Sequence, residues 1–111
     1  MSQFSSVKKQ VAINYSAIKE LDSFPLKIRA RFNDLFQILE EKGKLEMPFA
    51  KKIDSVLFEI RIKQNGQWRA IYAYVLKNEI VVLSAFLKKT QKTPKKELTK
   101  ALKRLKNYEK K

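Results

Sequence analysis

Residues 57–74 read LFEIRIKQNGQWRAIYAY, and the fold turns on how this stretch pairs with itself. Phe58, Ile60 and Ile62 alternate with Glu59, Arg61 and Lys63, the period of a half-buried strand. After Gln64-Asn65-Gly66 the alternation resumes with Trp68, Ala70, Tyr72 and Tyr74. A two-residue Asn65-Gly66 turn would pair Lys63 with Trp68 and set Arg61 and Arg69 on opposite faces. A three-residue loop of Gln64, Asn65 and Gly66, with Gly66 left-handed in a bulge, pairs Lys63 with Gln67 instead. Phe58, Ile60, Ile62, Trp68, Ala70, Tyr72 and Tyr74 then share one face, and Glu59, Arg61, Lys63, Gln67 and Arg69 share the other. A slip of one residue inverts every side chain, so the hydrophobic pattern selects the three-residue loop.

Working outward, a two-residue Lys77-Asn78 turn leads into a third antiparallel strand, Ile80 to Phe86. It sets Ile71 opposite Ser84 and Arg69 opposite Phe86. Ser84 then joins Arg61 and Arg69 on an exposed basic patch, with Val75, Ile80 and Val82 making the far end of that face apolar. Upstream, Val11, Ile13 and Tyr15 alternate as a short strand would. Asp22-Ser23-Phe24-Pro25 reads as a helix start with polar caps and Pro in the first turn. Ile28, Phe32, Leu35, Phe36 and Leu39 form the helix's core stripe, and Gly43 is its stop. Thr93-Pro94 opens a last helix, Thr93 as cap, with Leu98, Ala101, Leu102 and Leu105 on its apolar side. The expectation is one α+β domain over residues 1–111: an antiparallel sheet, one or more N-terminal helices on one face, and a C-terminal helix.

The 111 residues carry 25 Lys and Arg against 11 Asp and Glu, a formal charge of +14. Such an excess points to a polyanionic partner. With no cysteine and no histidine, disulfides, thiol nucleophiles, zinc sites and catalytic triads lose their usual ligands and bases. No apolar run approaches the roughly 18 residues of a membrane span. The start, Met1-Ser2-Gln3-Phe4, lacks the charged-then-apolar pattern of a leader, so a cytoplasmic location without membrane contact is expected. From Ala85 onward, eleven Lys and Arg stand against Glu97 and Glu109, which is +9 of the +14. Lys100, Lys103, Lys106, Lys110 and Lys111 read as a solvated helix face. Lys88, Lys89 and Lys92 instead cluster beside Arg61 and Arg69, an arrangement that expects phosphate, with the amides at Thr93-Pro94 adding donors.

The run LFEIRIKQNGQWRAIYAYVLKNEIVVLSAFLKKTQKTPKKELTKALKRLKNY, with LDSFPLKIRARFNDLFQILEEKG and MPFAKKI upstream, closely resembles the phage-derived, HigB-like branch of the RelE/ParE toxin superfamily. The resemblance covers about Leu21 to Tyr108. It implies a small RelE-like microdomain and a toxin of a type II toxin–antitoxin pair. It further implies metal-independent cleavage of mRNA, commonly on the ribosome, no cofactor, and a helix-turn-helix antitoxin as partner. Arg61 and Arg69 carry over as the catalytic sheet arginines, and Lys88, Lys89 and Lys92 match the basic motif after the third strand. In many relatives the position of Ser84 is histidine.

Cleavage by the 2′-hydroxyl needs a base, and Lys89 or Lys88, its pKa depressed by neighbouring cations, is the candidate. Glu59 is a second candidate, or else the partner that holds Arg61. The planar forks of Arg61 and Arg69 suit the phosphorane. Lys63, Ser84, Lys88, Gln91, Lys92 and Thr93 complete the expected RNA contacts. Two other functions fit the same superfamily: a ParE-like gyrase inhibitor, and a basic RNA binder without catalysis.

Overall fold

Alternation carries the hairpin into a five-stranded sheet in the computed structural model, which describes residues 8–76 and 78–109. Expectations for residues 1–4, for Lys77 and for Lys110 and Lys111 fall outside the described residues. In chain order the elements are β1 (Gln10–Ile13), α1 (Tyr15–Asp22), α2 (Leu26–Lys42), β2 (Ala50–Lys52), β3 (Phe58–Lys63), β4 (Gln67–Val75), β5 (Glu79–Lys88) and α3 (Lys95–Glu109). The sheet order is β1-β5-β4-β3-β2. Four strands are antiparallel, whereas β1 runs parallel to β5, Val11 opposite Ile80 and Ile13 opposite Val82.

The hairpin has the three-residue loop, with Lys63 opposite Gln67 and Arg61 opposite Arg69. Its details differ from the expectation. Asn65 is the left-handed residue, at φ 51°, and Gly66 follows at φ 146°. Asn tolerates the left-handed region better than most residues, so the Gly can take the still rarer conformation beside it. On the face of Phe58, Ile60, Ile62, Trp68, Ala70 and Tyr72 the sheet packs against Ile28, Phe32, Leu35, Phe36 and Leu39 of α2. Tyr74 sits at the margin of this core, 36% exposed, and its hydroxyl donates to the Gly43 carbonyl at 2.9 Å. Gly43 ends α2 at φ 78°, as expected of a left-handed stop.

The opposite face is a second core. Leu57, Ile71, Ala73, Val75, Val81, Leu83 and Phe86 pack under Ala101 and Leu105 of α3. This corrects the assignment of Ile80 and Val82, which belong to the α2 core instead. The cause is a bulge: Ile71 faces Ser84 but Tyr72 faces Val82, leaving Leu83 as an extra residue. Above the bulge the expected pairing holds. Below it parity inverts, and Val75 lies opposite Glu79 rather than across a two-residue turn. The edge of β5 beyond β1 is closed by side chains. Arg104 donates to the Leu83 carbonyl at 2.8 Å, and Glu20 accepts the Ala85 amide at 3.0 Å. Arg104 and Lys100 in turn hold Glu20, at 3.0 and 3.2 Å.

Local caps also depart from expectation. Tyr15 opens α1 rather than extending a strand, because Asn14 accepts the amides of Ser16 and Ala17 at 2.9 and 3.2 Å. Ser23 ends α1, its hydroxyl donating to the Glu20 carbonyl at 2.6 Å. Pro25 is the residue before the first turn of α2, its carbonyl accepting Ile28 and Arg29. At α3 the residues Leu98, Ala101, Leu105 and Tyr108 pack inward, while Leu102 is 39% exposed.

Two stability predictions follow from these contacts. A Cβ on Gly66 would meet Leu87 Cδ1 and Trp68 Nε1, each at 3.2 Å, in a backbone conformation that β-branched residues avoid. Gly66→Val should therefore cost about 1–3 kcal/mol in urea unfolding, against a few tenths for an ordinary loop change. A loss no larger than that of Gln64→Val would contradict the loop geometry. Burial raises the Glu20 pKa, but Arg104, the Ala85 amide and Lys100 outweigh it and hold the carboxyl below its ordinary 4.5. A carboxyl whose folded pKa is depressed contributes stability above 4.5 and loses it as pH falls through the lower folded value. Urea midpoints from pH 6 to 3 should fall more steeply for the native chain than for Glu20→Gln. Parallel curves would remove Glu20 as a source of acid lability.

Candidate nucleic-acid interface

The hairpin register stacks polar side chains in rows on the α3 side of the sheet. Lys63, Gln67 and Lys88 lie opposite one another at the open end, followed by Arg61, Arg69 and Phe86, then Lys51, Glu59, Ile71 and Ser84. At the centre is Glu59, 2% exposed. Its Oε1 lies 3.3 Å from Arg69 Nε and 3.8 Å from Arg61 Nε, and its Oε2 accepts the Thr93 hydroxyl at 2.7 Å. Arg69 continues outward, donating from Nη2 to Gln67 Oε1 at 2.9 Å and from Nη1 to the Trp68 carbonyl at 3.2 Å.

The two arginines therefore differ, against the expectation that both are exposed. Arg69 is 3% exposed, a buried cation matched by a buried carboxylate, whereas the Arg61 side chain is about one-third exposed. Burial pulls the Arg69 pKa down, Glu59 opposes this, and Arg61 adds to it. A guanidinium nevertheless stays charged across the physiological range. Lys88 is held below its ordinary value by desolvation first, then by the positive charges of Arg69, Arg61 and Lys51, with Glu59 opposing.

Two clefts open on either side of this pair. One, of about 350 Å³, is lined by Arg31, Pro48, Phe49, Arg61, Lys63, Gln67 and Arg69. The other, of about 580 Å³, is lined by Arg61, Gln67, Arg69, Lys88, Lys89, Thr90 and Gln91. Arg61, Gln67 and Arg69 belong to both, so the clefts form one track across the end of the sheet. Neither lining contains a carboxylate, so both clefts carry a positive potential.

Of the expected residues, Arg61, Arg69, Lys63, Lys88, Lys89 and Gln91 come together on this track. Lys92 is exposed but lines neither cleft, and its carbonyl accepts the Thr90 hydroxyl at 2.7 Å. Thr93 does not cap α3 with its hydroxyl, which is given to Glu59. Ser84 is fully buried with no hydrogen-bond partner for its hydroxyl, so it is removed from the RNA contacts. Ser84 keeps its expected place opposite Ile71, and the bulge brings Leu83 to the same side of the sheet beside it. Arg31 and Phe49 were not legible as site residues. Arg31 arrives from α2, where its Nη1 donates to Gln64 Oε1 at 3.1 Å, and no local pattern marks such a reach. Gln67 was placed on the charged face, but not as the side chain that orients Arg69.

Residues 19–106 match the family described as Phage derived protein Gp49-like (DUF891), and the chain belongs to that family. No curated protein matches it in sequence. Among solved structures it is similar to a mutant of the Escherichia coli toxin RelE in the free state. That likeness has a TM-score of 0.68 at 17% identity, over 87% of this chain and 97% of the other. It is also similar to the toxin–antitoxin complex RelBE2 from Mycobacterium tuberculosis, at TM-score 0.57 and 17% identity over 73% and 99% of the two chains. The archaeal RelE–RelB complex from Pyrococcus horikoshii OT3 gives 0.58 at 22% identity, over 72% and 94%. The fold is that of RelE toxins.

The asymmetry of the arginines predicts unequal mutants. Arg69→Ala leaves the buried Glu59 carboxylate without its nearest cation and should cost about 3 kcal/mol or more in unfolding free energy. Arg61→Ala should cost less than about 1 kcal/mol, since Arg61 is the more distant and more exposed partner. Equal losses in chemical denaturation would contradict this division of roles.

Proposed function

We propose that this chain is the toxin of a type II toxin–antitoxin pair, of the HigB-like branch, and that it cleaves mRNA on the ribosome without a metal. The observation that carries the reading is the cation track: Arg61 beside Arg69, with Lys88 in the adjoining row, opening on clefts that contain no carboxylate. The RelE fold supports it, and the mycobacterial and archaeal neighbours, which are toxin–antitoxin complexes, support an antitoxin partner here. That this antitoxin is of helix-turn-helix type is proposed from the HigB-like resemblance of the sequence alone. Among the described residues no helix is long and apolar enough to cross a membrane. The site of action proposed is the cytoplasm, where ribosomes and mRNA are found.

In this mechanism neutral Lys88 takes the proton of the ribose 2′-hydroxyl, whose oxygen attacks the adjacent phosphorus. Arg61 contacts the phosphorane charge, and Arg69, fixed by Glu59 and Gln67, supports it from below. Lys89, in the same cleft, gives a proton to the departing 5′ oxygen as the P–O bond breaks. Lys88 takes the base role from Lys89 because it lies on β5, where desolvation first and then the neighbouring cations lower its pKa, whereas Lys89 stands beyond the strand end.

Induction of the chain followed by primer extension on cellular mRNA tests this. Cleavage within translated codons is expected, and Arg61→Ala should lower it by roughly 10²–10³ while the protein stays folded. DNA damage with intact mRNA would replace the reading with gyrase inhibition, and neither effect would leave a non-catalytic binder. Because the base must be unprotonated, the rate should rise with pH through a Lys88 value below 10.5, and Lys88→Arg should abolish that rise.

A further inference from the structure

We infer that Phe49 is a nucleobase-stacking residue, so that the smaller cleft is a subsite for one unstacked base of a single-stranded RNA. The inference rests on the reading of Arg61 and Arg69 as a phosphate site and adds the base that goes with the phosphate. Pairing of β2 with β3, continued one residue, sets Phe49 opposite Arg61, whose amide donates to the Phe49 carbonyl at 2.8 Å. Directly opposed residues share a face, so Phe49, Arg61 and Arg69 form one row across the entrance to β2, β3 and β4. The Phe49 amide is also committed, to the Glu46 carbonyl at 2.9 Å, so the residue's backbone is held from both sides.

The ring lies outside both hydrophobic cores. Phe24, Phe32, Phe36, Phe58, Trp68, Tyr72 and Tyr74 all meet another ring, whereas among the described residues Phe49 meets none and is 42% exposed. It lines its cleft with Arg31, Arg61, Lys63 and Arg69 and no acid. An apolar peptide would gain the ring but would desolvate Arg31, Arg61 and Lys63. A simple anion would gain the cations and leave the ring in water. A nucleotide supplies a planar face for the ring and a phosphate for the arginines, one bond system apart. The cleft's 350 Å³ lies at the small end of ligand pockets, about 300 Å³ and upward. With a phosphate on the partly exposed Arg61, backed by the buried Arg69, one neighbouring base enters on Phe49, and the RNA leaves along Lys88 to Gln91. A paired duplex keeps its bases stacked and offers no free face, so the ligand is single-stranded.

The test uses the full chain and a short single-stranded RNA made uncleavable by 2′-O-methylation, with binding read by fluorescence anisotropy. Wild type, Phe49→Trp, Phe49→Leu, Phe49→Ala and Arg61→Ala are compared, each checked by its melting curve. Loss of one stacked base should weaken binding about tenfold in Phe49→Ala and Phe49→Leu, and Phe49→Trp should bind at least as well as wild type. An abasic nucleotide walked along the RNA should, at one position, weaken wild type by the same factor and leave Phe49→Ala unchanged. Such non-additivity is not produced by a merely structural Phe49. Wild-type binding that Arg61→Ala loses but Phe49→Ala keeps, or abasic losses equal in both proteins at every position, would overturn the stacking role alone. Absence of RNA binding by wild type would overturn the proposed function and this inference together.

Discussion

The burial of the Glu59 carboxylate against the Arg69 guanidinium is the interaction on which the rest of the site depends. Neither charge could be taken from water alone, and the pair is supported by hydrogen bonds from Thr93 to Glu59 and from the Arg69 terminal nitrogens to Gln67 and the Trp68 carbonyl. Glu59 reaches Arg69 on β4, Arg61 on its own strand and Thr93 at the entrance to α3. One carboxylate thus ties together the hairpin, the exposed arginine and the segment that leads into the C-terminal helix. Arg69 spends its other nitrogens on Gln67 and the Trp68 carbonyl, so its position leaves little freedom. The arrangement gives one buried cation, Arg69, and one partly exposed cation, Arg61, beside it.

A second constraint acts from the opposite edge of β5. The extra residue Leu83 lets both Leu83 and Ser84 serve the α3 side, and it lets Ile80 and Val82 serve the α2 side. A bulge leaves backbone groups unpaired, and here Arg104 and Glu20 satisfy the Leu83 carbonyl and the Ala85 amide. Because Arg104 belongs to α3 and Glu20 to α1, the irregularity in the strand fixes both helices to it. α3 therefore lies over the far half of the sheet and leaves the near half uncovered, which is where the two clefts open. The localised basic patch is the part of the sheet face that α3 does not cover.

The electrostatics follow from the same division. Charges that the fold needs, Glu20 with Arg104 and Glu59 with Arg69, are paired and partly or wholly buried. The cations that line the clefts without such pairing are Lys63, Lys88 and Lys89, with Arg31 and Arg61 beside them. Their mutual repulsion is tolerable on an open surface and is relieved by an anion, which is the physical content of the phosphate reading.

Strict alternation from Phe58 to Tyr74 was enough to determine the hairpin loop, the opposed arginines and the two faces of β3 and β4, because a polar residue turned inward has a large and local cost. The 3.6-residue stripe of α2 was legible for the same reason. Where one side of a segment is not distinct from the other, local reading stopped. The stretch from Ile80 to Phe86 is apolar on both faces apart from Ser84, so nothing in it marks where an extra residue sits. The bulge, the burial of Ser84 and the exchange of Ile80 and Val82 for Val81 and Leu83 are decided only when two helices pack from opposite sides. The pairing of β1 with β5 and the reach of Arg31 to the cleft likewise join residues far apart in the chain. The difference between Arg61 and Arg69 has the same origin. Sequence determined that both point to one face, but exposure is a property of what covers a side chain, and only the tertiary structure buries Arg69 beside the Thr93-held Glu59 and leaves Arg61 partly exposed.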